Sequence, residues 1–300
     1  GVQTCALPIC PAFSRNIGWV TAREQELLRG KRVAIAGMGG VGGIHLLTLA
    51  RLGIGAFNIA DFDTFDIANF NRQVGATMSN LGKPKVEVLA SMAADINPEL
   101  SINQFPNGVN EVNLAEFLHE VDFYVDSYDF FAFSARQLTF SACAAAGIPA
   151  TTVAPLGMGA ALLNFLPGKM SFEEYFRWGD LPDDEKALRF LVGLAPAGLH
   201  RSYLVEPSAV NLAEQRGPST IMACQLCAGI AATEALKMLL KRGDVLAAPH
   251  GLHFDAYRNK LVRTWRPGGN NNPLQRLILK IGRRQMARMR AEASEKSNNA

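Results

Sequence analysis

Three hundred residues, 48% apolar and 19% charged, describe an ordinary folded chain with enough length for one large α/β domain or two small ones. The net charge of +3 is uneven: Arg276 to Lys296 holds seven Arg or Lys against two Glu, which leaves the rest near −2, so only the tail offers a surface for a polyanion. Five sparse cysteines (Cys5, Cys10, Cys143, Cys224 and Cys227) make no disulfide framework, and no apolar run reads as long enough to span a bilayer. A reducing cytoplasm, with no membrane partner, is the expected setting.

Residues 1–12 lack the basic start and apolar core of a signal peptide and do not resemble the start of a domain, so they are set apart as a foreign leader. Residues 21–29 read as a short amphipathic helix, capped by Thr21 with Glu24 three positions on. Residues 32–36 (RVAIA) are a short apolar strand without alternation, as in a parallel sheet. A glycine-rich turn then opens a helix to about Leu52, and 56–60 form a second strand. Pro84 starts a helix that runs to about Ile96 and ends at Asn97-Pro98. Residues 100–105 predict a third strand. Asn113 with Glu116 caps the next helix, 121–126 is a fourth strand, 131–146 a helix and 148–153 a fifth strand. Residues 157–166 extend the sheet, and 167–218 read as a long, poorly periodic loop rich in Pro and Gly, the kind that is functional or mobile. Residues 219–241 are one long buried helix, 251–265 a final hairpin, 268–272 a linker, and the tail from Leu274 a basic amphipathic helix that fades into disorder. The sum is a doubly wound, Rossmann-like α/β fold: a mostly parallel sheet with an antiparallel C-terminal extension.

Gly37-Met38-Gly39-Gly40-Val41-Gly42 follows the first strand and opens a helix, the setting in which a phosphate meets backbone N–H groups. Asp61, nineteen residues past Gly42, fits the acid that binds a ribose hydroxyl. These features alone suit NAD or FAD equally well. The next stretch adds chemistry that a hydride-transfer site would not use. Arg72 and Lys85 suit phosphates, one through bidentate contacts and the other as a point charge. Asp63 and Asp129 suit Mg²⁺, which takes one or two carboxylates alongside phosphate oxygens and water.

DFDTFDIANFNRQ (61–73), GKPK (82–85), the glycine turn at 37–42, DSYD ending at Asp129 and FSRNI at 13–17 together resemble the superfamily of ThiF, MoeB and HesA proteins and the ubiquitin-activating enzymes. The resemblance covers about residues 13–165 well and the later helix and hairpin loosely. It implies an ATP-dependent adenylation domain over about 13–268, with a nucleotide-binding half at about 30–155, a substrate crossover at about 167–218 and a basic tail at 269–300. It implies that Gly37, Gly39, Gly40 and Gly42 cradle the nucleotide, Asp61 holds the ribose, and Asp63 and Asp129 bind Mg²⁺. Asn69, Arg72, Gln73 and Lys85 would contact the phosphates, and Arg15 would reach the nucleotide of a partner subunit in a homodimer. The implied substrate is the C-terminal Gly-Gly of a ubiquitin-like or sulfur-carrier protein, activated as an acyl-adenylate.

Two departures stand out. One CxxC, Cys224 to Cys227, lies inside a helix where many relatives carry two such pairs, so zinc is not expected and the pair reads as core. No cysteine falls in 167–218, and Cys143 reads as core, so no thioester is expected. The rival readings are a dehydratase that cyclises a modified tRNA adenosine, an NAD-dependent oxidoreductase, and a binding scaffold without activity. The basic tail leaves a nucleic-acid surface open, with a solvated helix as the plainer reading.

Overall fold

The computed structural model describes residues 9–210 and 217–298. The first eight residues of the expected leader, with Cys5, and residues 211–216 of the expected crossover lie outside the described residues. Ten helices are described: α1 (Ile9–Ala12), α2 (Ala22–Arg29), α3 (Gly42–Leu52), α4 (Lys85–Ile96), α5 (Leu114–Phe117), α6 (Phe133–Ala146), α7 (Phe172–Phe176), α8 (Asp183–Leu194), α9 (Ile221–Leu240) and α10 (Pro273–Asn298). The strands are β1 (Arg32–Ala36), β2 (Ala56–Ala60), β3 (Ser101–Phe105), β4 (Phe123–Asp126), β5 (Ala150–Leu156), β6 (Gly159–Phe165), β7 (His250–Asp255) and β8 (Lys260–Trp265). They form one sheet in the order β3-β2-β1-β4-β5-β6-β7-β8. The first five are parallel and the last three join antiparallel, as expected.

Chain order leaves β1 toward β2 and β3, then returns to its other side as β4. The strand order therefore reverses between β1 and β4, which is where ligands bind in such sheets. β1 shows how both faces fill. Val33 and Ile35 join a core with Leu46, Leu49, Leu89 and Cys227 from α3, α4 and α9. Ala34 and Ala36 point the other way, into an aromatic core built with Phe140, Phe172, Trp178 and Phe190 from α6 to α8. A strand buried on both faces has no polar positions to alternate, which explains its sequence.

Local signals place several boundaries. Thr21 and Glu24 form the expected reciprocal capping box on α2, and Pro84 stands at the N-cap of α4. Other expectations need correction. Asn113 caps nothing with its side chain; its Oδ1 accepts the N–H of Asn110 instead, and the helix after it is a single turn. Residues 167–218 are not a bare loop: they contain α7, α8 and two 3₁₀ turns. The aromatic stretch 171–186 packs inward, with Phe172, Tyr175, Phe176 and Trp178 all buried.

The linker at 268–272 is pinned at its centre, where Gly269 and Asn270 are buried. Asn270 is 1% exposed and donates to the carbonyls of Phe176 and Arg189. The tail's first half docks rather than trailing off: Leu279 packs on Leu188 and Val192 of α8, and Arg283 pairs with Glu185. α9 also corrects the view that no run could span a bilayer, since its 20 residues are long and apolar enough by length and composition. Its Cys227, Ala231 and Ala235 belong to the sheet core, so burial accounts for one side of it. The other side borders an open apolar groove of about 830 Å³ with Leu226, Ile230, Leu252, Phe254 and Leu261 in its wall.

Candidate active site

The glycine turn between β1 and α3 is dictated by contact. Gly37 has φ 93°, and a Cβ there would lie 2.1 Å from the carbonyl oxygen of Ser127. A Cβ on Gly42 would lie 1.7 Å from the oxygen of Gly37. These two glycines make the turn possible. Gly39 and Gly40 are different: a Cβ on either would meet only side-chain atoms, Gln73 Nε2 at 3.8 Å for Gly39 and Cys224 Sγ at 3.2 Å for Gly40. They form the face a phosphate would approach. Val41 at the N-cap makes no side-chain cap to α3, which leaves that helix terminus to a ligand.

Asp61 at the end of β2 ties this turn to the segment that follows. Its Oδ2 accepts the Met38 N–H at 2.6 Å and its Oδ1 accepts the Asp63 N–H at 2.8 Å. Burial pushes its pKa up, opposed by these two backbone bonds. Each carboxylate oxygen keeps a lone pair for a further donor. Lys85, the first residue of α4, is 5% exposed and pairs with Asp63 at 2.9 Å. Its own N–H donates to the Asp63 carbonyl at 3.0 Å, so backbone and side chain hold the two residues together.

The 3₁₀ turn Ile67–Asn69 sets the next group. Asn69 Oδ1 accepts the Asp66 N–H at 3.0 Å, so this residue works as a cap and has only its amide nitrogen to offer a phosphate. Gln73 is buried beside the glycine turn, and its Oε1 has no partner among the described residues. Arg72 lies against Gly40: a Cβ there would meet its Cγ at 3.5 Å. Nη1 of Arg72 donates to the Ala68 carbonyl at 3.0 Å and to Asn71 Oδ1 at 2.9 Å. Nε and Nη2 make no hydrogen bond among the described residues.

After β4, Asp129 is exposed, and its Oδ1 accepts the Phe131 N–H at 3.0 Å. The first aspartate of DSYD, which sequence reasoning passed over, is the structural one. Asp126 and Arg136 of α6 are each 2% exposed at the side chain and meet at 2.9 Å. Arg136 also donates to the carbonyls of Tyr128, Asp129 and Phe130 at 2.9 to 3.1 Å, and its guanidinium lies 4.6 Å from the Phe190 ring centroid. One buried cation thus fixes the loop that presents Asp129. Arg136, the single charged residue of α6 and ten residues past Asp126, was the available signal.

The structure therefore joins Gly37, Gly39, Gly40, Gly42, Asp61, Gln73 and Arg72 around one turn, with the Lys85–Asp63 pair next in the chain and Ser127 packed beneath. Arg15 stands apart. It is exposed in the turn Ser14–Asn16, and its neighbour Asn16 donates to the carbonyls of Arg51 and Leu52 at the far end of α3. That end is ~15 Å from the glycine turn along the helix axis. Among the described residues no group of three or more His, Cys, Asp or Glu could hold a metal. Asp63 and Asp129 would have to bind Mg²⁺ together with phosphate oxygens, which matches that ion's habit. Of the cysteines, Cys143, Cys224 and Cys227 are all buried and unbridged, and burial raises each thiol's pKa. Both Cys224 and Cys227 are buried core residues, as read; Cys224 also lies against the glycine turn, which only its fold position reveals.

The match to the tRNA threonylcarbamoyladenosine dehydratase of Bacillus subtilis is 36% identical over 118 residues, 39% of this chain and 46% of that protein. The sulfur carrier protein ThiS adenylyltransferase of Escherichia coli is 29% identical over 143 residues, 48% of this chain and 56% of that one. The chain thus spans about half the length of the curated relatives it matches. The crystal structure of PaaA superposes with a TM-score of 0.66 at 18% identity, covering 88% of this chain and 76% of that one, which supports the fold. The model of the ThiF family matches residues 13–277, and the chain belongs to the ThiF family.

Proposed function

We propose that this protein is an ATP- and Mg²⁺-dependent adenylyltransferase that activates a carboxylate, the C-terminal Gly-Gly of a ubiquitin-like or sulfur-carrier protein, without a thioester cysteine of its own. One observation carries the reading: Arg72 stands against Gly40 with no hydrogen bond on Nε or Nη2 among the described residues. A cation at that place serves phosphates, and together with Lys85 it makes a second cationic pair that a hydride-transfer site would not use. The E. coli relative named above acts on a sulfur carrier protein. Cys143 is buried in α6 with its thiol held neutral, which favours adenylation without a covalent enzyme intermediate.

In this reading the carrier's carboxylate oxygen attacks the α-phosphorus in line. A bond from that oxygen to phosphorus forms, the bond to the bridging oxygen breaks, and pyrophosphate leaves with the electron pair. Asp61, fixed by Met38, holds the ribose. Arg72, Lys85, Asn69 and Gln73 place the phosphates and offset their charge, and positioning with preset charge is the protein's whole contribution. Asp63 and Asp129 would hold Mg²⁺, which neutralises phosphate oxygens. The apolar groove beside α9 and the distance of Arg15 from its own glycine turn support a homodimer in which Arg15 completes the partner's site.

ATP–pyrophosphate exchange with Mg²⁺ and a panel of Gly-Gly-ending carriers tests the reading, with Arg72→Ala and Asp129→Ala as controls. Carrier-dependent exchange abolished in both variants is expected. The dehydratase relative keeps a second reading in view, cyclisation of a modified tRNA adenosine, which the seven cations from Arg276 to Lys296 also favour. ATP binding without exchange on any carrier, together with turnover of the modified tRNA, would establish that second reading instead.

A further inference from the structure

The stretch between Tyr203 and Thr220 re-enters the fold at α9, beside Arg72 and Gly40. Thr220 caps α9 and its Oγ1 donates to the Gly157 carbonyl at 2.9 Å. The segment's other end is tied to the same turn, where Tyr203 Oη accepts the Met158 N–H at 2.8 Å and donates to Asp255 at 2.7 Å. Both ends are thus fastened at the C-terminal edge of β5. One residue further, the Ser219 carbonyl accepts Nδ2 of Asn71 at 3.0 Å. The Oδ1 of the same amide accepts Nη1 of Arg72 at 2.9 Å. Asn71 therefore grips the catalytic arginine with one atom and the entry to α9 with the other.

This two-sided contact has a use. A free arginine side chain samples many rotamers, and holding it in place beforehand removes that cost from ligand binding. Nη1 spends its two protons on Ala68 and Asn71, which fixes the plane of the guanidinium, while Nε and Nη2 carry no hydrogen bond among the described residues. Cys224, in the first turn of α9, closes the other side against Gly40.

We propose that Asn71 is a positioning residue: it holds Arg72 ready for the nucleotide's phosphates and couples that placement to the first turn of α9, where the crossover segment returns. The proposal rests on ATP being the nucleotide. Two variants of the full chain separate its parts. Asn71→Ala removes both contacts. Asn71→Asp keeps an acceptor for Arg72 but sets a carboxylate against the Ser219 carbonyl.

MgATP affinity is measured by calorimetric titration, and amide hydrogen exchange at Ile221 to Cys224 is followed with and without MgATP. Asn71→Ala is expected to bind MgATP about tenfold more weakly, the loss of one hydrogen bond to a charged group. Combining it with Arg72→Ala should add no further loss. Asn71→Asp should bind within about twofold of the wild type yet lose the slowing of exchange that MgATP produces in α9. Wild-type affinity in Asn71→Ala, or equal weakening in both variants, would overturn the proposal. A wild type that binds no MgATP would overturn the ATP reading itself.

Discussion

Replacing Arg136 by Met tests whether one buried cation sets the loop of Asp129. Met keeps most of the volume and removes the charge. The wild-type side chain sits 2% exposed against an equally buried Asp126 at 2.9 Å and makes three more bonds to the carbonyls of Tyr128, Asp129 and Phe130. Leaving a buried charge without its partner costs about 3–5 kcal/mol. The three carbonyls partly rehydrate on the exposed side of the loop, so they add at most about 1 kcal/mol each. The expected loss is therefore ~3–8 kcal/mol, a large share of the ~5–15 kcal/mol that holds a domain. Urea unfolding measures it. Asp126→Asn in the same chain removes the stranded charge and should recover at least ~2 kcal/mol of the loss. That double variant should still bind MgATP less well, because the loop carbonyls stay unheld. A loss under ~1 kcal/mol for Arg136→Met, or no recovery in the double variant, would refute the reasoning.

Acid should destabilise the fold through its buried imidazoles. His45 in α3 is fully buried with neither ring nitrogen bonded among the described residues, and burial lowers its pKa to about 3; His253 is lowered to about 4, also mainly by burial. A folded pKa below the unfolded one gives stability that is complete above about pH 6.5 and lost as the pH falls through the acid range. His45 alone loses ~2 kcal/mol by pH 5; urea unfolding at pH 7.5 and 5 checks this, and an unchanged slope in His45→Leu would refute it. Gly42→Ala should fail to fold stably, since its Cβ would sit 1.7 Å from a carbonyl oxygen, whereas Gly40→Ala, at 3.2 Å from a movable sulfur, should keep its melting temperature and bind MgATP poorly. Lys85→Met should leave folding nearly intact, because its partner Asp63 is half exposed, while weakening MgATP binding at least ~10-fold; wild-type affinity in that variant would remove Lys85 from the site.

Some features were legible because neighbouring residues decide them. The capping box at Thr21, the helix start after Pro84 and the glycine turn after β1 follow from local sterics and hydrogen bonds. The alternation of apolar strands with helices carried the parallel sheet, and the short spacing from Asp61 to Arg72 carried the phosphate chemistry. Hydrogen bonds and ion pairs between distant elements were not legible. α7 and α8 were missed because α7 is only five residues long and α8 buries side chains in two places, the aromatic core and the contact with α10. Arg136 pairs with Asp126 only because α6 packs beside the end of β4. Cys224 reaches Gly40, 184 residues earlier, only because α9 packs across the face of the sheet over β4, β5 and β6. Sequence by itself determined which turns form and which chemistry is present, since these depend on bonds among near neighbours. Tertiary structure decided which side chains hold that chemistry in place, because such contacts exist only once helices settle on the sheet.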